Sequence, residues 1–133
     1  MHAASFIRSR RIVLESSLLR QPRLFRLILL HEIFHFVWAR LGNEKRRQYS
    51  RMLEREFASD VRGELGCSAQ LKKDARPAPG TRAWREYVCE SFCDTAAFVF
   101  SGFRRHPAFT LATCWKKRRR LWFAFTFAPG CRC

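Results

Sequence analysis

The segment His31-Glu32-Ile33-Phe34-His35 holds the residues best suited to chemistry. On a helix, side chains four positions apart lie one above the other on the same face. The two imidazoles can therefore converge on one divalent ion, and zinc accepts such nitrogens at about 2.0–2.1 Å. Glu32 stands one step round the helix, near the ion without pointing at it. There it can take a proton from a water whose pKa the metal lowers to about 7. That combination is the machinery of metal-assisted peptide hydrolysis. One Zn2+ per chain is the expected cofactor, and a peptide or protein the expected substrate. The other reading is an accidental match, with both histidines satisfied by hydrogen bonds in the core.

A catalytic zinc needs a third protein ligand and one open position. The extension of the motif that would supply a third histidine is absent, because position 38 is Trp and position 41 is Leu. The ligand is therefore expected from another helix. Glu90 is the first candidate, with Glu86 and Asp94 on the same narrow stripe of an otherwise apolar segment. Asp94, one turn beyond Glu90, is expected to orient a histidine ligand. Ordinary salt bridges to the many arginines are the simpler account of that stripe. Glu56, followed by Asp60 at the same spacing, is the rival third ligand, and Glu86 is a further alternative. Cys89 and Cys93 offer a different, closed site with His31 and His35. They project about 60–100° away from Glu90, so the two donor sets are not expected to share one ion. Cys131 and Cys133 stand near the terminus, where a thiolate could reach back to the metal.

These residues need elements to hold them. Pro22 suits a first helical position and Gly42-Asn43 a stop, so a helix is expected over 22–41. Its apolar residues surround it, which predicts a helix buried in the core. Further helices are expected over 44–62 and 82–100, with turns at Gly63, Gly66 and 76–80. Residues 1–10 are expected to fray, and Ile12-Val13-Leu14 reads as a short strand. Residues 102–133 form a basic and aromatic tail, expected to pack on the core. The expected fold class is mainly α (α+β), in a single domain over 1–133.

The pair of segments carries a resemblance. His31-Glu32-Ile33-Phe34-His35, followed on a separate helix by Glu90 and Asp94, resembles the gluzincin metallopeptidases. The short length is similar to that of the single-domain minigluzincins. The segment Glu90-Ser-Phe-Cys-Asp-Thr-Ala-Ala-Phe98 is similar to the second zinc helix of small anti-repressor-type metallopeptidases. The resemblance covers about 20 residues. It implies a compact zincin-like helical core and peptide hydrolysis. It also implies His31, His35 and Glu90 as zinc ligands, with Glu32 as general base. An edge strand beside the active-site helix is implied as well, to pair with extended substrate; Ile12–Leu14 is the candidate. No oxyanion-stabilising motif is recognisable downstream, and Tyr87, His106 or an arginine are the options.

The bulk numbers narrow the remaining classes. The chain has 133 residues, 26 Lys+Arg against 11 Asp+Glu, a net charge of +15 and a hydrophobic fraction of 47%, which excludes a disordered tail protein. Lys116–Arg120 is an unbroken basic run flanked by Trp115, Trp122, Phe123, Phe125 and Phe127. It reads first as a solvated face with the aromatics capping the core. It also keeps open a basic nucleic-acid-associated protein whose metal site is structural or vestigial. A peptide-binding module without turnover is a third reading. His106, beside Pro107, reads as a surface histidine. No signal peptide is recognisable. The most apolar stretch carries Arg26, His31, Glu32 and His35, which argues against a membrane span. The cysteines show no disulfide framework, and a cytoplasmic protein with free thiols is the expectation.

Overall fold

A computed structural model describes residues 3–128; Cys131 and Cys133 lie outside the described residues. The protein is mainly α-helical with one small sheet. Strands β1 (Ala3–Phe6) and β2 (Arg11–Leu14) form an antiparallel hairpin with Ala3 opposite Leu14 and Phe6 opposite Arg11. The segment expected to fray thus contributes a strand. A 3₁₀ turn at Ser16–Arg20 leads into α1 (Pro22–Arg40), followed by α2 (Asn43–Ala58) and α3 (Cys67–Asp74). Helices α4 (Arg82–Ser101) and α5 (Thr113–Phe127) complete the order. The expected helix over 44–62 ends early, at Ala58. Helix α3 and the helical form of the tail are additions to the expected elements.

The central helix is α4, not α1. Every residue from Ser91 to Phe98 is buried. Only Leu27 and Glu32 of α1 are fully buried, and Ile33 is exposed. An apolar circumference predicted deep burial for α1. Instead α1 lies along α4 on one side and under the hairpin on another, so its hydrophobic residues are shared out and half-covered. Buried Ala96 and Ala97 remove bulk from α4 where the two helices meet. Helix α4 starts where the Thr81 hydroxyl accepts the Trp84 N–H at 3.1 Å and stops at Gly102, whose φ of 76° is the left-handed cap.

The main core joins Tyr49 and Leu53 of α2, Trp84, Tyr87 and Phe92 of α4, and Phe123 of α5. The aromatic tail therefore caps the core as expected, although Phe125 remains exposed. Arg119 does not follow the expectation of a solvated basic face: it is fully buried. Among the described residues, no helix is long and apolar enough to cross a membrane. Cys67, Cys89, Cys93 and Cys114 are free thiols.

Candidate metal centre

The 3.6-residue period brings His31 and His35 onto the face of α1 that meets α4, and Glu90 and Asp94 onto the facing side of α4. The Nε2 atoms of His31 and His35 are 3.2 Å apart. Glu90 Oε2 lies 3.0 Å from His31 Nε2 and 3.6 Å from His35 Nε2. Three donor atoms thus form a small triangle. Ligands about 2.0–2.1 Å from a tetrahedral zinc stand about 3.3–3.4 Å from one another. The triangle therefore has the dimensions of one face of a zinc coordination sphere.

The same atoms make a poor hydrogen-bond set. Glu90 Oε2 is buried and has no hydrogen-bond partner among the described residues, despite its proximity to both imidazoles. It is paired in charge with both imidazoles but aligned for a hydrogen bond with neither. A divalent cation at the centre of the triangle satisfies it and both nitrogens together. The surrounding residues already prepare the imidazoles. His31 Nδ1 is 2.6 Å from Asp94 Oδ1; a carboxylate only accepts, so Nδ1 donates and Nε2 is turned to the centre. The other Asp94 oxygen accepts the Ala69 N–H at 2.8 Å, so α3 holds the carboxylate in place. His35 Nδ1 faces Cys89 Sγ at 3.6 Å.

Without metal the cluster is an ion-pair network. Burial opposes charging of His31, but Asp94 and Glu90 outweigh it and push its pKa up to about 10. Burial likewise opposes His35, and Cys89 and Glu90 push it up to about 9. Burial would raise Glu90; the two imidazoles instead hold it down at about 2. Exchanging two imidazole protons for one divalent cation leaves the net charge unchanged, which is the electrostatic condition for a metal to enter.

Glu32 is buried beside this triangle, and its Oε1 accepts the Ser5 hydroxyl at 2.7 Å. The same hydroxyl lies 3.0 Å from the Glu32 carbonyl oxygen, so Ser5 of β1 pins the residue at two points. The other carboxylate oxygen has no hydrogen-bond partner among the described residues. His31, Glu32 and Asp94 face a cavity of about 430 Å³ whose apolar wall includes Ile28, Leu65 and Phe109. His106, expected at the surface, lines this cavity. Its Nδ1 accepts the Ala108 N–H at 3.1 Å, which leaves Nε2 as its donor. Tyr87 is not available to the site, because its hydroxyl donates to Glu64 in the buried core.

Two alternatives for the third ligand are removed. Glu56 is fully buried and pairs with Arg119 at 2.7 and 3.0 Å. Both its oxygens are thereby used, on the side of α4 away from the histidines. Glu86 is half exposed and pairs with Lys72 and Arg82 at 3.2 Å each. Both strands of the hairpin lie against α1. Ser5 places β1 against Glu32, while Ile12–Leu14 belongs to β2, on the other side of the hairpin pairing.

Cys93 comes close to the two histidines, in a group that does not include Glu90. Its thiol and the ring nitrogens of His31 and His35 lie within 4.8 Å of one another. Ser5 and the approach of Gly66 to Asp94 carry no motif signal, whereas Cys93 beside both histidines matches part of the Cys/His set read from the sequence. Gly66 is needed because a Cβ there would fall inside the Asp94 carboxylate. Its position one residue before α3 was the available signal for a close approach.

No family model, curated protein or solved structure matches this chain.

Proposed function

We propose that this chain is a minimal zinc-dependent metallopeptidase of gluzincin type, with His31, His35 and Glu90 as ligands and Glu32 as general base. The observation that carries the reading is the three-donor triangle, whose Glu90 oxygen meets both imidazoles without a hydrogen bond, set beside a carboxylate that faces a cavity. Zinc, when bound, would polarise the scissile carbonyl and make water acidic enough to react near neutral pH. Glu32 then takes the proton from the attacking water and hands it to the leaving amine. Ser5 holds Glu32 Oε1, which leaves the second oxygen for that transfer. Asp94 keeps His31 in the tautomer that presents Nε2. The test is Glu32→Gln. It is expected to keep about one zinc per chain while peptide cleavage falls by about 10²–10⁴-fold, the usual contribution of a general base. Unchanged cleavage in that variant overturns the role of Glu32. Failure of the wild type to bind zinc overturns the reading as a whole.

A second reading, a nucleic-acid-associated protein, is favoured by a separate groove between α2 and α5. Arg51, Arg55 and Arg118 line it together with Trp115 and Trp122, and no acidic side chain does. Arg118 stacks 4.5 Å from the centre of the Trp115 ring. Guanidinium groups beside indoles are suited to phosphates and stacked bases. On this reading, titration with a single-stranded oligonucleotide quenches tryptophan fluorescence with an affinity that falls steeply with salt. Arg51→Glu weakens it; absence of binding at low salt removes this reading.

A further inference from the structure

Helix α4 also brings a thiol close to the two histidines. Cys93 follows Glu90 by three positions, a spacing that shares a helix face. It is fully buried, whereas the side chains of His35 and Glu90 are 21% and 23% exposed. The thiol is thus sealed from solvent, while His35 and Glu90 are partly open to it. With the histidine nitrogens it forms a group whose ligand atoms all lie within 4.8 Å. Cys89 does not have this placement: its sulfur sits on Nδ1 of His35, the ring nitrogen not aimed at Glu90.

We propose that Cys93 is a fourth protein ligand, so that the resting centre is a closed set of two imidazoles, one carboxylate and one thiolate. This rests on the metallopeptidase reading and adds a regulatory state to it. Four protein donors complete a tetrahedral zinc, while catalysis needs a free position. On metal entry the thiol loses its proton to solvent, the S–H bond breaks and a metal–sulfur bond forms; no oxidant or reductant is involved. Opening the centre for substrate is the reverse step at Cys93, with His31, His35 and Glu90 keeping the ion. The site is then a latched hydrolase, whose turnover depends on how readily the thiolate leaves.

The full-length protein loaded with Co2+ tests this. Thiolate–cobalt bonding gives an intense charge-transfer band in the near ultraviolet, which imidazole and carboxylate do not. The wild type and Cys89→Ser are expected to show the band at one cobalt per chain, and Cys93→Ser to keep cobalt and lose it. Because a serine in the core could disturb folding, X-ray absorption on the wild-type zinc protein is the second measurement. It should find one sulfur at about 2.3 Å beside nitrogen and oxygen at about 2.0–2.1 Å. One bound metal with neither band nor sulfur overturns the Cys93 proposal and leaves the metallopeptidase reading standing. A band that survives in Cys93→Ser also overturns it. No metal uptake by the wild type overturns both.

Discussion

Helix α4 separates two buried charged clusters, and the contrast between them is instructive. Toward α1 it presents Glu90 and Asp94; one residue further round, Ser91 and Thr95 point to the other side. There Arg119 of α5 binds Glu56 through Nε and Nη2 at 3.0 and 2.7 Å and Glu64 through Nη1 and Nη2 at 2.7 and 2.9 Å. Its Nη1 also reaches Thr95 at 3.1 Å and Ser91 at 3.3 Å. Tyr87 donates to Glu64, and Tyr49 joins Ser91 and Thr95 at 3.0 and 2.9 Å. Every charged group in that cluster has a partner, and Arg119, Glu56 and Glu64 are sealed from solvent. The histidine cluster is equally built but incomplete. It leaves Glu90 Oε2 without a hydrogen bond and borders a cavity. A complete buried network stabilises and specifies a fold; one that leaves a buried oxygen without a hydrogen bond has capacity for a further partner.

The largest effect should come from breaking the complete cluster. Arg119→Met leaves two carboxylates buried without their cation and should destabilise the fold by about 3–5 kcal/mol, read from chemical denaturation. The folded fraction should still take up zinc, since the histidine triangle is untouched. Next comes the support of the incomplete cluster. Asp94→Asn, or Gly66→Ala acting through Asp94, should weaken zinc affinity by about 10–100-fold with little loss of helical signal, as measured by competition with a chelator. An unchanged affinity would mean that the Asp94–His31 bond does not tune the ligand.

Acid should find the complete cluster before it is protonated. Burial raises the pKa of Glu64, but Arg119 outweighs it and holds the carboxyl below its ordinary value of 4.5. A lowered folded pKa contributes stability that is fully present above the ordinary value and lost as pH falls through the folded one. Stability measured against pH should therefore drop on the acid side of 4.5, with a shallower slope in Glu64→Gln. The smallest effect belongs to Glu86→Gln. Glu86 meets only the partly exposed Lys72 and the exposed Arg82, so zinc content should not change.

The contrast also explains what the sequence could disclose. The spacing of His31, Glu32 and His35, and that of Glu90 with Asp94, survives translation into three dimensions because both pairs are local to one helix. Glu56 with Asp60 has the same spacing and reads as the rival, on a less apolar helix. What separates the two is Arg119, which lies 63 positions from Glu56 in a basic run that reads as solvated. A long-range partner leaves no local periodicity. Strand β1 and helix α3 are too short to produce a period, yet they supply Ser5 and the Ala69 N–H that steady Glu32 and Asp94. Helix α1 looked central because its composition is apolar all round; α4 took that place because its small alanines and interleaved polar residues allow close contact on several sides.

The central claim is that Glu90 completes a zinc site with His31 and His35. Zinc content of the purified, folded wild type and of Glu90→Ala, measured after dialysis against the metal, tests it most directly. The wild type should hold about one zinc per chain, and Glu90→Ala should lose most of it. Equal zinc in the two proteins, or none in the wild type, would contradict the account.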